Sequence, residues 1–255
     1  MRTNIMQRVS SNLIGAALAV VASAGVAVAS EAPAVDLHAD IDLKDTASLQ
    51  RGAKYFANYC LGCHSLEYAR YQTIADDLKM SEGQLADIMY TSDKPYDEIK
   101  VSMPADEAAS WFGATPPNLT LYARSKGSDY IYAYLMSYYV DPERKWGVNN
   151  LMLPGSSMPH VLWPLQGFQI AHFEETVDAN GNAREEFDHF EQVTEGSMSP
   201  QEFSQAVNDI TNFLTYVAEP ARLKRGGIGV GVLAFLAMFF GLTLALKKEY
   251  WKDIK

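Results

Sequence analysis

The chain's only two cysteines stand three residues apart and run directly into a histidine, Cys60-Leu61-Gly62-Cys63-His64. On a helical turn, positions i and i+3 face the same way. Both sulfurs can therefore reach the two vinyl groups along one porphyrin edge. The adjacent His64 then comes beneath the ring, where its imidazole can ligate iron. A zinc half-site would need a second pair of ligands, and there is no further cysteine. A thioredoxin-like dithiol would need a βαβ context that the chain lacks. The motif is read as the attachment site of a c-type haem. It occurs once and no internal repeat is visible, so one haem c is expected.

The two ends of the chain say where such a haem works. Residues 1–29 contain Arg2 and Arg8 but no acid, an apolar stretch from Leu13 to Val28, and Ala27-Val28-Ala29 as a small-x-small cleavage site. This reads as a signal peptide removed between Ala29 and Ser30. Export suits the motif, because haem is attached to such cysteines outside the cytoplasm. Both cysteines are committed to haem, so no disulfide is expected despite an oxidising compartment. At the other end, Gly226 to Leu246 is a run of 21 residues without a charge. At ~1.5 Å per residue it spans one hydrocarbon core. Cations flank it on both sides, so the signal peptide sets the orientation: bulk outside, the tail 247–255 inside.

Residues 30–221 form the exported domain, large enough for one core. It carries 29 acidic and 12 basic residues, a net charge near −17 that the whole-chain value of −10 hides. Such a field excludes nucleic acid and anionic lipid as natural partners. It favours a basic soluble partner steered in by electrostatics, although solubility alone also accounts for it.

Within the domain, Asp45–Tyr59 reads as a helix with Leu49, Gly52, Phe56 and Tyr59 on one stripe, delivering the chain into Cys60. Lys79–Tyr90 is a second short helix with Ser81 as cap, and Val101–Leu119 reads as loop. Ser128–Tyr138 is helical, with Tyr130, Ile131, Tyr134 and Leu135 turned inward. Val148–Gln169, rich in Gly, Pro, Asn and Met, is too broken for a regular element and is placed over the haem. Ile170–Val193 alternates around Asn180-Gly181 and predicts two short strands of an acidic hairpin, either a solvated ribbon or part of a docking surface. Ser199-Pro200-Gln201-Glu202 is a capping box with proline at the first helical position. The helix it opens carries Phe203, Ala206, Val207, Ile210, Phe213, Leu214 and Val217 as one apolar stripe and ends at Pro220.

Function turns on the sixth iron ligand. A thioether gives a closed, electron-transferring iron of raised potential, whereas an open face permits ligand binding or peroxide chemistry. His38, His160, His172 and His189 each read by default as surface or hydrogen-bonded histidines. Met80, Met89 and Met136 are placed on helices; Met103, Met152, Met158 and Met198 are in loops. Met158 is the preferred ligand because Pro159 stiffens its loop and Gly155 permits close backbone approach. Met103 and Met152 follow it.

These features together resemble the cytochrome c1 family, the haem-carrying subunits of ubiquinol–cytochrome c reductase (bc1) complexes. The resemblance covers essentially the whole mature chain. Its specific marks are Gly113-Ala114-Thr115-Pro116-Pro117-Asn118-Leu119-Thr120, Met158-Pro159-His160-Val161-Leu162-Trp163, and Phe213 to Pro220 ahead of the anchor. It implies a mainly α fold: a class I cytochrome c-like haem domain with long loops and a small β-hairpin insertion, plus a single C-terminal transmembrane helix. It implies Cys60 and Cys63 as haem attachment points and His64 and Met158 as axial ligands. Arg124 and Tyr130 match a basic residue and a tyrosine that contact a haem propionate, with Lys126 competing for the role of Arg124. The short run between Gly155 and Met158 resembles proteobacterial members.

The implied activity is electron transfer from a Rieske iron–sulfur protein to a soluble c-type cytochrome, within a complex that also contains cytochrome b. The chain alone is an electron carrier; the quinol–cytochrome c oxidoreductase activity belongs to the complex. The expected location is the bacterial inner membrane, with the haem domain on the periplasmic side. Two rivals are a free-standing membrane-tethered electron shuttle and a catalytic or sensory haem with an open distal face. The first predicts a domain of about 80–100 residues, half the size of this one, by the usual scale of small domains.

Overall fold

The computed structural model describes residues 35–177 and 183–253. The expected signal peptide and the hairpin turn at Asn180-Gly181 lie outside the described residues. About half of what is described is helical, with three two-stranded antiparallel sheets.

The frame is a pair of helices far apart in sequence. Helix α1 (Thr46–Tyr59) starts at Asp45, whose carboxylate accepts a hydrogen bond from the Ser48 amide at 3.0 Å. It buries Leu49, Gly52, Ala53, Phe56 and Ala57, the face that the apolar spacing predicts. Its partner is the helix Pro200–Ala218, which opens on the Ser199/Glu202 capping box and buries the expected Phe203-to-Val217 stripe. The two backbones meet at Gly52. A Cβ built there would sit 2.1 Å from the Asp209 carbonyl oxygen and 2.7 Å from Phe213 Cβ. Beside that contact, Phe56 and Phe213 pack with ring centroids 5.8 Å apart. Arg51 reaches over with two hydrogen bonds, at 2.6 and 2.9 Å, to the Asp209 carboxylate, which is only 1% exposed. A carboxylate buried to that degree costs several kcal/mol if left unpaired, so the bond is a condition of the packing rather than a surplus.

Between the frame helices the chain forms β1 (Leu66–Arg70), α2 (Tyr71–Leu78), α3 (Glu82–Ala86), β2 (Glu98–Ile99), α4 (Ala105–Phe112), α5 (Tyr122–Lys126), α6 (Ser128–Met136), β3 (Tyr138–Val140), β4 (Val148–Asn150), α7 (Trp163–Gln166), β5 (Gln169–Val177) and β6 (Ala183–Gln192). The frame helix Pro200–Ala218 is then α8, and α9 (Arg222–Tyr250) follows it.

Several expectations need correction: the stretch 148–169, read as too broken for a regular element, holds β4 at its start and α7 near its end. Helix α2 was not anticipated, although Tyr71, Ile74, Ala75 and Leu78 bury one face at i, i+3, i+4 and i+7. The helix placed over Lys79–Tyr90 contracts to α3. Lys79 is not part of it but ends α2 in the left-handed conformation, with φ +53°, and only the Ser81 capping box matches. Met80 and Met89 accordingly lie outside helices, packed at the edge of the core. The stretch read as loop contains α4, which starts after Pro104 with Asp106 and Glu107 in its first turn and stops at Gly113, φ +81°. Its flanking prolines mask an eight-residue helix that buries only Ala108.

The hairpin strands are nine and ten residues long rather than short, paired from Gln169↔Gln192 to Val177↔Ala183 with an irregularity at His172/Phe173. Phe173 packs against Phe187 across the two strands and carries the pairing outward.

Helix α9 runs four residues beyond the uncharged segment at each end, 29 residues in all, and none of them is buried. A helix this long and apolar with no protein cover is a candidate membrane span. At its base, Asp77 accepts hydrogen bonds from Tyr216 Oη at 3.0 Å and Lys224 Nζ at 3.1 Å, tying α2, α8 and α9 together around Pro220.

The Gly52 contact yields a prediction. Gly52→Ala forces α1 and α8 apart and should destabilise the haem-loaded protein by about 1–3 kcal/mol or more. A denaturant midpoint unchanged from wild type would show that the helices can separate at no cost.

Candidate haem site

The last turn of α1 passes into a second, tighter turn. The Cys60 and Leu61 amides donate to the Phe56 carbonyl, and the Cys63 and His64 amides both donate to the Cys60 carbonyl, at 3.0 and 2.8 Å. That turn places Cys60, Cys63 and His64 together on the wall of a cavity of about 420 Å³. The rest of the wall is mainly apolar or aromatic, with Thr115, Ser156 and Ser157 as small polar residues in it. Tyr59 comes from α1, Phe112 from α4, Tyr130, Ile131, Tyr134 and Leu135 from the region of α6, and Ile210 and Leu214 from α8. The segment between β4 and α7 closes it with Leu153 through Pro159, so Met158 lies in the same cavity.

Elementary chemistry assigns the His64 tautomer. Nδ1 lies 2.8 Å from the Pro117 carbonyl oxygen, which can only accept, so Nδ1 carries the proton and Nε2 keeps its lone pair. Burial lowers the His64 pKa and outweighs the Pro117 hydrogen bond, which raises it. The ring is therefore neutral and available as a ligand at physiological pH. The Pro117 carbonyl is itself held in place: the Leu119 amide donates to Ser65 O, and Asn118 Oδ1 accepts from both the amide and the hydroxyl of Thr120. Burial, with a smaller contribution from Cys63, pushes the Cys60 thiol up to about 12, and burial also raises Cys63. Neither sulfur favours the thiolate that a zinc site needs. Among the described residues, no group of three or more His, Cys, Asp or Glu side chains is arranged to hold a metal ion. Two neutral sulfurs, one lone-pair imidazole and one thioether around an apolar cavity form a donor set that fits a covalently held haem.

The structure brings Cys60, Cys63, His64, Met158 and Tyr130 to this cavity. Arg124 does not line it; its side chain is exposed on α5. Lys126 Nζ stands 5.7 Å from the centre of the Tyr130 ring. Met103 and Met152 do not line the cavity. His160 is buried but turned elsewhere, stacked on Tyr138 with centroids 4.9 Å apart. His38, His172 and His189 are at the surface, each bonded to a carboxylate. Sequence reasoning missed Tyr59, Phe112, Tyr122 and Tyr134 as lining residues, and it assigned Ile210 and Leu214 to the helix stripe alone. An apolar period does not distinguish a side chain facing packed protein from one facing a cavity. The Pro117 carbonyl leaves no signal at all, since every residue has one.

The family model described as "Cytochrome C1 family" matches residues 40–254. The chain is 50% identical to cytochrome c1 of Allochromatium vinosum over 217 residues, covering 85% of this chain and 88% of that one. It is 40% identical over 217 residues to a protein of Nitrosomonas europaea named ammonia monooxygenase gamma subunit, covering 85% and 87%. With the mitochondrial cytochrome c1 heme protein of Saccharomyces cerevisiae the identity is 29% over 230 residues, covering 83% and 68%. The match runs through the cysteine–histidine turn, the Met158 segment and α9 alike: the chain belongs to the cytochrome c1 family, and its cofactor is one covalently bound haem c.

Proposed function

We propose that this chain is the electron-transfer subunit of a bc1 complex. One observation carries the reading at the site: His64, with its Nε2 lone pair set by Pro117, shares a single apolar cavity with the Met158 thioether and both cysteines. Relatives named cytochrome b/c1 (Bradyrhizobium diazoefficiens) and cytochrome b-c1 complex catalytic subunit (Candida albicans) support an assembly with cytochrome b. When bound, the haem supplies a one-electron iron couple, filled by a Rieske iron–sulfur protein and emptied by a soluble c-type cytochrome.

The chain's own residues do the rest. Cys60 and Cys63 anchor the porphyrin through thioether bonds. His64, held in one tautomer and one orientation by Pro117, would hold the iron from one side through Nε2. Met158 would hold it from the other, and its soft sulfur would favour the reduced iron and raise the potential. Tyr130, with Arg124 or Lys126 on the neighbouring helix, faces the propionates. The apolar wall excludes water, which keeps the cost of changing the iron's charge small and steady. The organisation is a signal peptide (1–29), a periplasmic class I cytochrome c-like domain (30–221), a transmembrane helix built on 226–246 and a cytoplasmic tail (247–255), in the inner membrane of a bacterium. The acidic surface, dense on the exposed faces of β5 and β6, steers a cationic acceptor to the domain.

Three measurements check this. Met158→Ala should lower the potential, remove the six-coordinate spectrum and let the ferrous protein bind carbon monoxide rapidly; a wild-type spectrum and potential would refute the ligand assignment. Electron transfer to the soluble acceptor should slow steeply as ionic strength rises past about 0.1 M, where the screening length falls to about 10 Å. A rate indifferent to salt would remove the steering role. Purification from native membranes separates the complex from a free-standing shuttle: co-purifying b-type haems, with quinol reducing haem c, belong to the complex alone.

A further inference from the structure

The segment that carries Met158 has no regular structure of its own, yet several of its backbone groups are held by side chains. Asn150, fully buried, accepts at Oδ1 from the Met152 and Leu153 amides and donates from Nδ2 to the Tyr134 carbonyl at 2.7 Å. Asn149 Oδ1 accepts from the Gly155 amide at 2.8 Å. The last part of the segment is held by three hydroxyls. The Met158 amide donates to Ser156 Oγ at 3.3 Å, and that oxygen lies 2.7 Å from Tyr134 Oη. The Tyr138 hydroxyl donates its one proton to a site shared by Tyr134 Oη, at 2.9 Å, and the Met158 carbonyl, at 3.2 Å. The peptide groups on both sides of the Met158 side chain are thus tied into one network. Tyr138 is only 2% exposed and is backed by the buried, stacked ring of His160.

We propose that Tyr138, Tyr134 and Ser156 form a positioning clamp that holds the Met158 backbone so that its thioether stays on the iron. The proposal rests on the reading of Met158 as axial ligand and deepens it. A methionine side chain has three rotatable bonds, so nothing in Met158 itself fixes the sulfur. Rigidity has to come from the backbone, and here helix α6 and strand β3 supply it through phenols that they project at the loop. Fixing both the amide and the carbonyl of one residue limits rotation of that residue as a unit, which a single contact would not do. The clamp therefore sets the fraction of time during which the sixth position is open, and with it the potential and the access of foreign ligands.

The test uses the full chain in its native membrane complex. Tyr138→Phe removes one hydroxyl from outside the cavity lining, and Ser156→Ala removes one from the lining itself without adding bulk. Each should raise the apparent affinity of the ferrous protein for carbon monoxide about fivefold, since the loss of one net hydrogen bond enlarges the open fraction by about that factor. Both variants should also weaken the ferric methionine–iron charge-transfer band and lower the potential. Ser156→Thr, which keeps the hydroxyl, should restore closed behaviour. Tyr132→Phe is the control: it removes a comparable buried phenol bond, to Ser204 Oγ at 2.7 Å, on another face of α6. If Tyr138→Phe and Ser156→Ala stay at wild type while Met158→Ala opens the iron, Met158 is the ligand and the clamp does not position it. If Tyr132→Phe opens the iron as much as they do, the effect is general loosening and the clamp is refuted. If Met158→Ala itself leaves the iron closed, the ligand reading fails and the clamp fails with it.

Discussion

Everything at the site depends on the close approach of α1 and α8 across Gly52. The cysteine–histidine turn is the C-terminal continuation of α1, so its position is set by where that helix lies. Ile210 and Leu214 of α8 form part of the cavity wall in the turns next to Phe213. A side chain at position 52 would part the two helices and move the haem attachment turn away from the wall it must complete. The ion pair of exposed Arg51 with the buried Asp209 carboxylate adds direction to this contact, because the bidentate guanidinium geometry is satisfied at one relative placement of the helices.

The division of labour within the site follows from the physics of its groups. The proximal side is delivered by a helix, and a backbone carbonyl orients its imidazole. In the proposed site the distal side would be delivered by a loop, whose lack of regular structure is made good by Asn149, Asn150 and three hydroxyls. Burial acts in the same sense throughout. It holds His64 neutral and keeps both thiols protonated, so the cavity presents an uncharged interior inside a domain whose surface is strongly acidic. On the proposed function, charge at the surface would serve encounter, and its absence inside would let the iron change charge with little rearrangement around it.

Where sequence reasoning succeeded, it used patterns with a local cause. The Ser81 and Ser199 caps, the stripes of α1 and α8 and the long apolar run of α9 each need only a few neighbouring residues to be recognised. It stumbled where local signals conflicted. Helix α4 stands between prolines, and α3 is a five-residue remnant of a longer expectation, cut short because Lys79 turns left-handed to close α2. The hairpin outgrew its expected length because cross-strand aromatic pairs, which link residues distant in sequence, extend the ladder.

The sequence by itself determined the chemistry. Two cysteines and a histidine at that spacing can be read without a fold, because attachment and proximal ligation both occur within one turn. The apolar run of α9 is equally self-contained, since the length of a helix in hydrocarbon is set by its own residues. Only the tertiary structure decided which methionine shares the cavity, which nitrogen of His64 keeps its lone pair, and that Tyr130 lines the wall while Arg124 does not. Each of these depends on groups brought together from distant parts of the chain: Pro117 to His64, Tyr138 to Met158, α8 to α1. Contacts of that kind are made by packing, which no local pattern encodes.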